Sequence, residues 1–345
     1  MHICKEKKVK KKVFIIAEAG VNHNNKINLA YKLVNAAKKS GADAVKFQVF
    51  KTENYISKNA PLAKYQKKNS KSRNQFEMIK KLELSEMNLK KIILYCKNKK
   101  IIFLASPFDL WGVDFLIKNK IKTIKIPSGE INNFPYLKKI AKTKKNVILS
   151  SGMSNLNEVS KAIKILLLNG LKKNQITVLQ CNSEYPTPAN DLNLNVIKTF
   201  KSKFHCDVGL SDHSKGIFAP VIAVSLGATA IEKHLTLSNN LSGPDHKASL
   251  NPIEFKSMVE QIRFAEIALG SFEKKITKSE RKNIAIARKS IFASKRIKIG
   301  DRFTEKNLCL KRPAKGIQAE NFYKILGKKS KKNYKFDQLI SHDEL

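Results

Sequence analysis

Eight short apolar runs, each followed by an amphipathic stretch, set the tightest limit on what this chain can become. They occupy residues 13–20 (VFIIAEAG), 44–50 (AVKFQVF), 101–108 (IIFLASPF), 123–130 (TIKIPSGE), 146–153 (NVILSSGM), 176–183 (ITVLQCNS), 206–213 (CDVGLSDH) and 230–236 (AIEKHLT). The runs are continuous rather than strictly alternating, the pattern of strands buried on both faces of a parallel sheet. Between them, segments such as 28–39, 155–168 and 254–269 repeat their apolar residues at helical spacing. Eight β/α repeats within about 260 residues predict an α/β chain closed into a (β/α)8 TIM barrel, with a doubly wound open sheet as the alternative.

The pattern changes after Gly270. A chain of 345 residues exceeds a single core, so the expected division is a barrel domain over 1–270, a charged linker over 271–287 and a small domain over 288–345. Ile299-Gly300-Asp301 signals a turn in that last part, which reads as a compact, strand-poor or β-clip domain. One connection within the barrel, residues 51–85, is long and rich in Lys, Asn and Ser. Long loops at this end of a barrel carry function, so it is either a lid over the site or a disordered insertion.

Composition narrows the partners. The formal net charge is +39, but the excess is almost all lysine and is spread along the chain. Proteins that read nucleic acid favour arginine for its planar fork, and no nucleic-acid motif is present. The charge therefore reads as compositional bias, able at most to speed capture of an anionic substrate. No run approaches the roughly 20 apolar residues that span a bilayer. The basic N-terminus MHICKEKKVKKK leads into a run broken by Glu18, unlike a signal peptide, so a cytoplasmic protein is expected, with no membrane partner. The five cysteines are scattered and form no CxxC pair, which reads as free thiols.

The strand ends carry the chemistry. In a barrel, side chains at the C-terminal ends of strands line the active site. Here those ends present Glu18, Lys46 and Gln48, Lys125, Ser128 and Glu130, Ser150 and Ser151, Asn182 and Ser183, Ser211 and His213, and Glu232 and His234. Burying so many polar groups without partners would cost several kcal/mol, and one shared polar ligand accounts for all of them. Lys46 and Lys125, with Ser128, Ser150 and Ser211, could hold a phosphate and a carboxylate; the alternative is internal ion pairing with Glu18 or Glu130. His213 and His234 end neighbouring strands and could hold a divalent metal with open positions, joined from a loop by Asp245 or His246. An oxygen and imidazole environment suits Mn2+ or Mg2+.

These residues sit in blocks that resemble the sialic acid synthase family: EAGVNHN (18–24), VKFQ (45–48), IKIPSGE (124–130), LSSGM (149–153), QCNSEYPTP (180–188), GLSDH (209–213), GATAIEKHLTL (227–237) and GPDHKASLNP (243–252). KSIFASKRIKIGDRFTEKNLCLKRPAKGI (289–317) looks like that family's antifreeze-like SAF domain. The resemblance implies a transferase that joins phosphoenolpyruvate, an N-acyl mannosamine-type aldehyde and water into a nine-carbon keto acid, releasing phosphate by C–O cleavage. Its first implication is N-acetylneuraminate from N-acetylmannosamine. QCNSEYPTP also resembles legionaminate synthases, whose sugar is a 2,4-diacetamido-2,4,6-trideoxy mannose. A non-catalytic polyanion-binding protein is the distant alternative.

Carried over by position, Lys46, Lys125, Ser128, Ser150 and Ser211, with Ser183 or Asn182, match residues that hold phosphoenolpyruvate. Glu18, Tyr185 and Asp245 match residues on the sugar, and Glu232 joins the substrate-binding set. Glu130 matches a proposed acid/base, so the catalytic candidates are Glu130, Glu18 and Lys125. His213 and His234 match the metal ligands, with Mn2+ first and Mg2+ second. Arg312 matches an arginine that reaches a partner's barrel, which implies a domain-swapped homodimer.

Overall fold

Eight parallel strands form one sheet: β1 (Phe14–Gly20), β2 (Ala44–Val49), β3 (Ile102–Pro107), β4 (Thr123–Ile126), β5 (Asn146–Ser150), β6 (Ile176–Cys181), β7 (Asp207–Asp212) and β8 (Ala230–His234). The computed structural model describes residues 12–62 and 72–345. Each strand begins within one residue of its expected start but ends up to four residues early. The largest difference is at β4, where Pro127, which cannot donate to a ladder, turns the chain into a 3-10 turn over Ser128–Glu130.

Ladder pairing runs β3-β2-β1-β8-β7-β6-β5-β4, and β4 packs against β3. The first strand pairs with the last, Glu18 opposite His234, and with β4 against β3 the sheet closes on itself rather than staying open. Around it lie α1 (Ile27–Lys39), α2 (Thr52–Tyr55), α3 (Gln75–Lys80), α4 (Glu86–Asn98), α5 (Leu110–Lys118), α6 (Phe134–Lys142), α7 (Leu156–Leu168), α8 (Val196–Phe204), α9 (Phe218–Ser225) and α10 (Pro252–Ala268). Two long helices start at capping boxes, Asn155 with Glu158 and Asn251 with Glu254, which satisfy otherwise orphaned N–H groups.

Strand side chains alternate with period two. Outward residues such as Ile15, Val45, Phe47, Ile124, Val178 and Ile231 pack under the helices. Inward residues Ile16, Ala44, Leu104, Ile148, Leu179 and Ala230 fill the barrel floor. The floor is tight at Gly209, where a Cβ would lie 2.1 Å from the Ala230 carbonyl oxygen and 2.7 Å from Leu179 Cδ2.

The long connection after β2 is structured over the residues described. Glu83 accepts from the Thr52 backbone N–H (3.0 Å), the Thr52 hydroxyl (2.9 Å) and the Lys51 ammonium (3.1 Å). Val21, Phe50, Ile56, Met78, Ile79 and Leu82 form an apolar cluster beneath it. The expected lid or insertion over 51–85 also includes residues 63–71, which lie outside the described residues.

The described residues divide into two compact units, one ending at Gly270 and the other Ser271–Leu345. The second begins with α11 (Lys278–Ala287), capped by Thr277 and Glu280. Its strands β9 (Ser290–Ala293) and β10 (Leu308–Lys311) pair antiparallel. A separate core contains Ile291, Ile297, Phe303, Leu308, Ile317 and Tyr334. At the expected turn Gly300 has φ +87°, a conformation that favours glycine. Among the described residues no helix is long and apolar enough to cross a membrane.

One outward pair braces the end of the barrel. Lys233 on β8 lies 2.6 Å from Asp212 on β7, and both side chains are fully buried. Lys233 also donates to the Ser214 carbonyl. The clamp joins the residues directly beside His213 and His234. Removing one partner of such a pair leaves a buried charge uncompensated and costs about 3–5 kcal/mol. Asp212→Leu is therefore expected to lower the urea unfolding midpoint by that equivalent, while Asp212→Leu with Lys233→Met recovers most of the loss; a single variant as stable as wild type would refute the clamp.

Candidate active site

Two residues above the floor, the same alternation turns polar. Each strand sends one side chain inward: Glu18, Lys46, Ser106, Lys125, Ser150, Cys181, Ser211 and Glu232, from β1 to β8 in order, and all eight line one cavity of about 420 Å³. The ring is knitted by charge. Lys46 Nζ lies 3.1 Å from Glu18 Oε2 and 3.4 Å from Glu232 Oε1, and Lys125 Nζ lies 3.3 Å from Glu232 Oε1. Lys46 also donates to Ser106 Oγ (3.0 Å), and Ser211 Oγ donates to Glu232 Oε1 (2.9 Å). The lysines thus pair internally with Glu18 and Glu232 rather than with Glu130, and they still face the cavity.

The two carboxylates differ. Burial raises the Glu18 carboxyl to about 7, with Lys46 opposing and Glu232 reinforcing the rise. Burial would raise Glu232 as well, but Lys125 and Lys46 on either side hold it down, at about 2. Ser150 Oγ, Glu232 Oε2 and His234 Nδ1 are buried without a hydrogen-bond partner. Such orphaned atoms are rare in folded chains, and a polar ligand in the cavity would satisfy them.

Above the ring, His213 and His234 stand with ring centroids 5.3 Å apart. His213 Nδ1 meets the Asn182 carbonyl at 2.5 Å, which assigns Nδ1 the proton and leaves Nε2 as an acceptor; Nε2 meets the Tyr185 hydroxyl at 2.9 Å. A backbone carbonyl behind one nitrogen is the usual support of a metal-binding imidazole. With the unpartnered His234 Nδ1, these donors fit a divalent cation whose remaining positions go to water or substrate oxygens. Among the described residues no group of three or more His, Cys, Asp or Glu could hold a metal ion. Asp245 also lines the cavity, and burial raises its carboxyl to about 6, His213 opposing.

A cradle for an anion lies across the mouth, beside β4 to β6. Gly152 N–H donates to Ser128 Oγ (3.1 Å). A Cβ on Gly152 would come within 2.5 Å of Ser183 Oγ and 2.7 Å of Ser128 Oγ. Glycine therefore leaves room for both hydroxyls at the edge of the cavity that Ser150 and Lys125 also line.

The structure separates some candidates from this cavity. Ser183 lines it, whereas Asn182 lines a neighbouring cleft of about 670 Å³ that contains none of the lysines or imidazoles; Asn182 serves the site through its carbonyl. Glu130 does not line the cavity. The early end of β4 puts it on the 3-10 turn, where its carboxylate accepts from Asn133 Nδ2 at 2.6 Å. His246 turns away, its Nδ1 2.7 Å from the Thr236 hydroxyl. Arg312 is an exposed residue of the second unit.

Sequence reasoning passed over Ser106, Cys181 and Gly152. Ser106 could have been found as the polar residue closing the apolar run IIFLAS. Cys181, one of the expected free thiols, sits 3.6 Å from Ser128 Oγ and 3.9 Å from His213 Nδ1, and only its register on β6 marked it. Cys4 lies outside the described residues.

The chain is 53% identical to the N,N'-diacetyllegionaminic acid synthase of Campylobacter jejuni subsp. jejuni serotype O:2, over 96% of this chain and 99% of that protein. It is 44% identical to the protein of the same name from Legionella pneumophila subsp. pneumophila, over 93% of this chain and 91% of the other. The crystal structure of the N-acetylneuraminic acid (sialic acid) synthetase from Leptospira borgpetersenii serovar Hardjo-bovis, in complex with citrate, superposes with a TM-score of 0.70 at 32% identity, covering 79% of this chain and 90% of that one. Residues 288–345 match the model of the SAF domain. Residues 33–274 match the NeuB family model, and with a barrel whose eight strands converge on one charged pocket, the chain belongs to the NeuB family.

Proposed function

We propose that this chain is an N,N'-diacetyllegionaminic acid synthase, condensing phosphoenolpyruvate with 2,4-diacetamido-2,4,6-trideoxy-mannose and water. The supporting observation for the reaction is the ring of one inward polar side chain per strand, with paired imidazoles above it. The choice of sugar rests on the relatives: 53% and 44% identity to two synthases of that name, against 32% to the N-acetylneuraminic acid synthetase. N-acetylneuraminate, the first implication of the sequence motifs, becomes the second reading.

Phosphoenolpyruvate carries a phosphate and a carboxylate. Lys125, Ser128, Ser150 and Ser183 would hold one anionic group, and Lys46 with Ser211 the other. Tyr185, Asp245, Glu18 and Glu232 would take the sugar, its aldehyde beneath the imidazoles. A divalent ion on His213 and His234, Mn2+ or Mg2+, would supply Lewis-acid polarisation of that aldehyde. Held at near-attack distance, a contribution on the order of 7–11 kcal/mol, C3 of phosphoenolpyruvate bonds to the aldehyde carbon, whose oxygen gains a proton. Glu18, with its raised carboxyl, can carry that proton at neutral pH. Positive charge at C2 faces the ionised Glu232. Water adds at C2 and gives up a proton, and the C2–O bond to phosphate breaks. Glu130, the acid/base implied by the family motif, would have to leave Asn133 to reach these atoms. Arg312, on the same reasoning, completes a partner's site in a domain-swapped homodimer.

Four measurements test the reading. Product mass from phosphoenolpyruvate paired with each sugar is expected to give faster turnover with the diacetamido sugar; faster turnover of N-acetylmannosamine restores the second reading. Lys125→Ala is expected to raise the KM for phosphoenolpyruvate by orders of magnitude, and His213→Ala or His234→Ala to abolish metal-stimulated turnover; wild-type behaviour removes the residue concerned from the site. Ionised Asp245 accepts from the sugar through charge-assisted hydrogen bonds that protonation weakens, so kcat/KM for the sugar should fall as pH drops through about 6. Asp245→Asn should flatten that limb, and an unaltered profile would exclude Asp245 as its origin.

A further inference from the structure

The cavity has two chemically different walls. On the β4 to β6 side stand Lys125, Ser128, Ser150 and Ser183. On the β1 to β3 side stand Val21, Tyr55, Met78, Ile79 and Phe108. Strand order sets β1 and β2 across the barrel from β5 and β6, while β3 lies beside β4. Tyr55, Met78 and Ile79 belong to the arm after β2, whose α3 turns Gln75, Met78 and Ile79 to the cavity at i, i+3 and i+4 spacing. Met78 and Ile79 are themselves buried and packed with Val21, Phe50 and Leu82.

The arm is held in place from outside the cavity. Asn74 caps α3 by accepting from Glu77 N at 2.8 Å, and the Gln75 N–H donates to the Ala60 carbonyl at 2.9 Å. Glu83 gathers Lys51, Thr52 and Lys80 behind it, while Asn54 donates to Asp109 Oδ2 at 2.9 Å. A wall fastened this way is part of the site rather than a loose cover.

We infer that Met78 and Ile79 are specificity-determining residues, forming an apolar face that accepts the methyl-bearing end of the sugar, the C6 methyl and the C4 acetamido methyl, and disfavours a sugar that brings hydroxyls there. The inference rests on the substrate proposed above and deepens it. Once the aldehyde is directed to the imidazoles, the far end of the sugar needs its own surface, and among the described residues this wall gathers most of the cavity's apolar side chains, Pro127, Met153 and Pro244 standing apart from it. A hydroxyl set against it gives up its hydrogen bonds to water with no replacement. A hydrophobic surface discriminates modestly against an added hydroxyl, by up to about 100-fold.

The test compares kcat/KM for the diacetamido-trideoxy sugar and for N-acetylmannosamine, each with phosphoenolpyruvate, in the full-length protein and its variants. Met78→Gln nearly conserves volume, Ile79→Thr trims one carbon, and each adds a polar group to the wall. Each is expected to lower the ratio of the two values by roughly tenfold or more, through the KM of the sugar, with the KM for phosphoenolpyruvate unmoved. A wild-type preference for the diacetamido sugar that both variants leave unaltered overturns the wall and spares the substrate reading. A wild-type preference for N-acetylmannosamine overturns both. If a variant does not fold, the wild-type protein still decides: 6-deoxy-N-acetylmannosamine is expected to outperform N-acetylmannosamine, and an equal or lower kcat/KM overturns the wall.

Discussion

Four charged side chains buried at the centre of a closed sheet are the constraint on which this molecule depends. Moving an ion out of water costs several kcal/mol even after relaxation, so Glu18, Lys46, Lys125 and Glu232 cannot stand there singly. They stand as a matched set, two lysines and two acids within 3.4 Å contacts. The balance depends on register. Glu18 faces Lys46 across β1 and β2, and Ser211 faces Glu232 across β7 and β8. Slipping any strand by one residue would turn its charge outward into the apolar layer beneath the helices.

The rest of the barrel protects that register. The floor, tight enough that Gly209 has no room for a Cβ, seals the ring from below. The Lys233–Asp212 pair, fully buried on the outer face, binds β7 to β8 beside both imidazoles. The Asn182 carbonyl sets the His213 tautomer from the next connection. Each support comes from an element other than the one it steadies, which is how catalytic groups are held to sub-ångström tolerances.

The cavity is divided by chemistry in the way two dissimilar reactants require. Lys125 gathers with the hydroxyls of Ser128, Ser150 and Ser183 along β4 to β6, imidazoles end β7 and β8, and apolar side chains come from the arm after β2. Members of the NeuB family share the barrel, and the relatives named here carry the names of different sugar acids. A scaffold that keeps the charged ring while its connecting segments vary would permit such divergence, because loops tolerate substitutions that a packed ring does not.

From the sequence alone came the number of strands, their starts to within a residue, and the identity of most groups in the pocket. Continuous apolar runs fix burial on both faces, and a charged residue inside such a run has no bland explanation; Lys46, Lys125, Glu232 and His234 were legible for that reason. Tertiary structure alone decided the partnerships. Which carboxylate neutralises which lysine, that Glu130 leaves the ring when Pro127 ends β4, that Cys181 and Ser106 complete the ring, and that Met78 and Ile79 form a wall all depend on contacts between residues distant in the chain. Local periodicity records which face of a strand is buried, whereas only closure of the barrel determines what is buried against it.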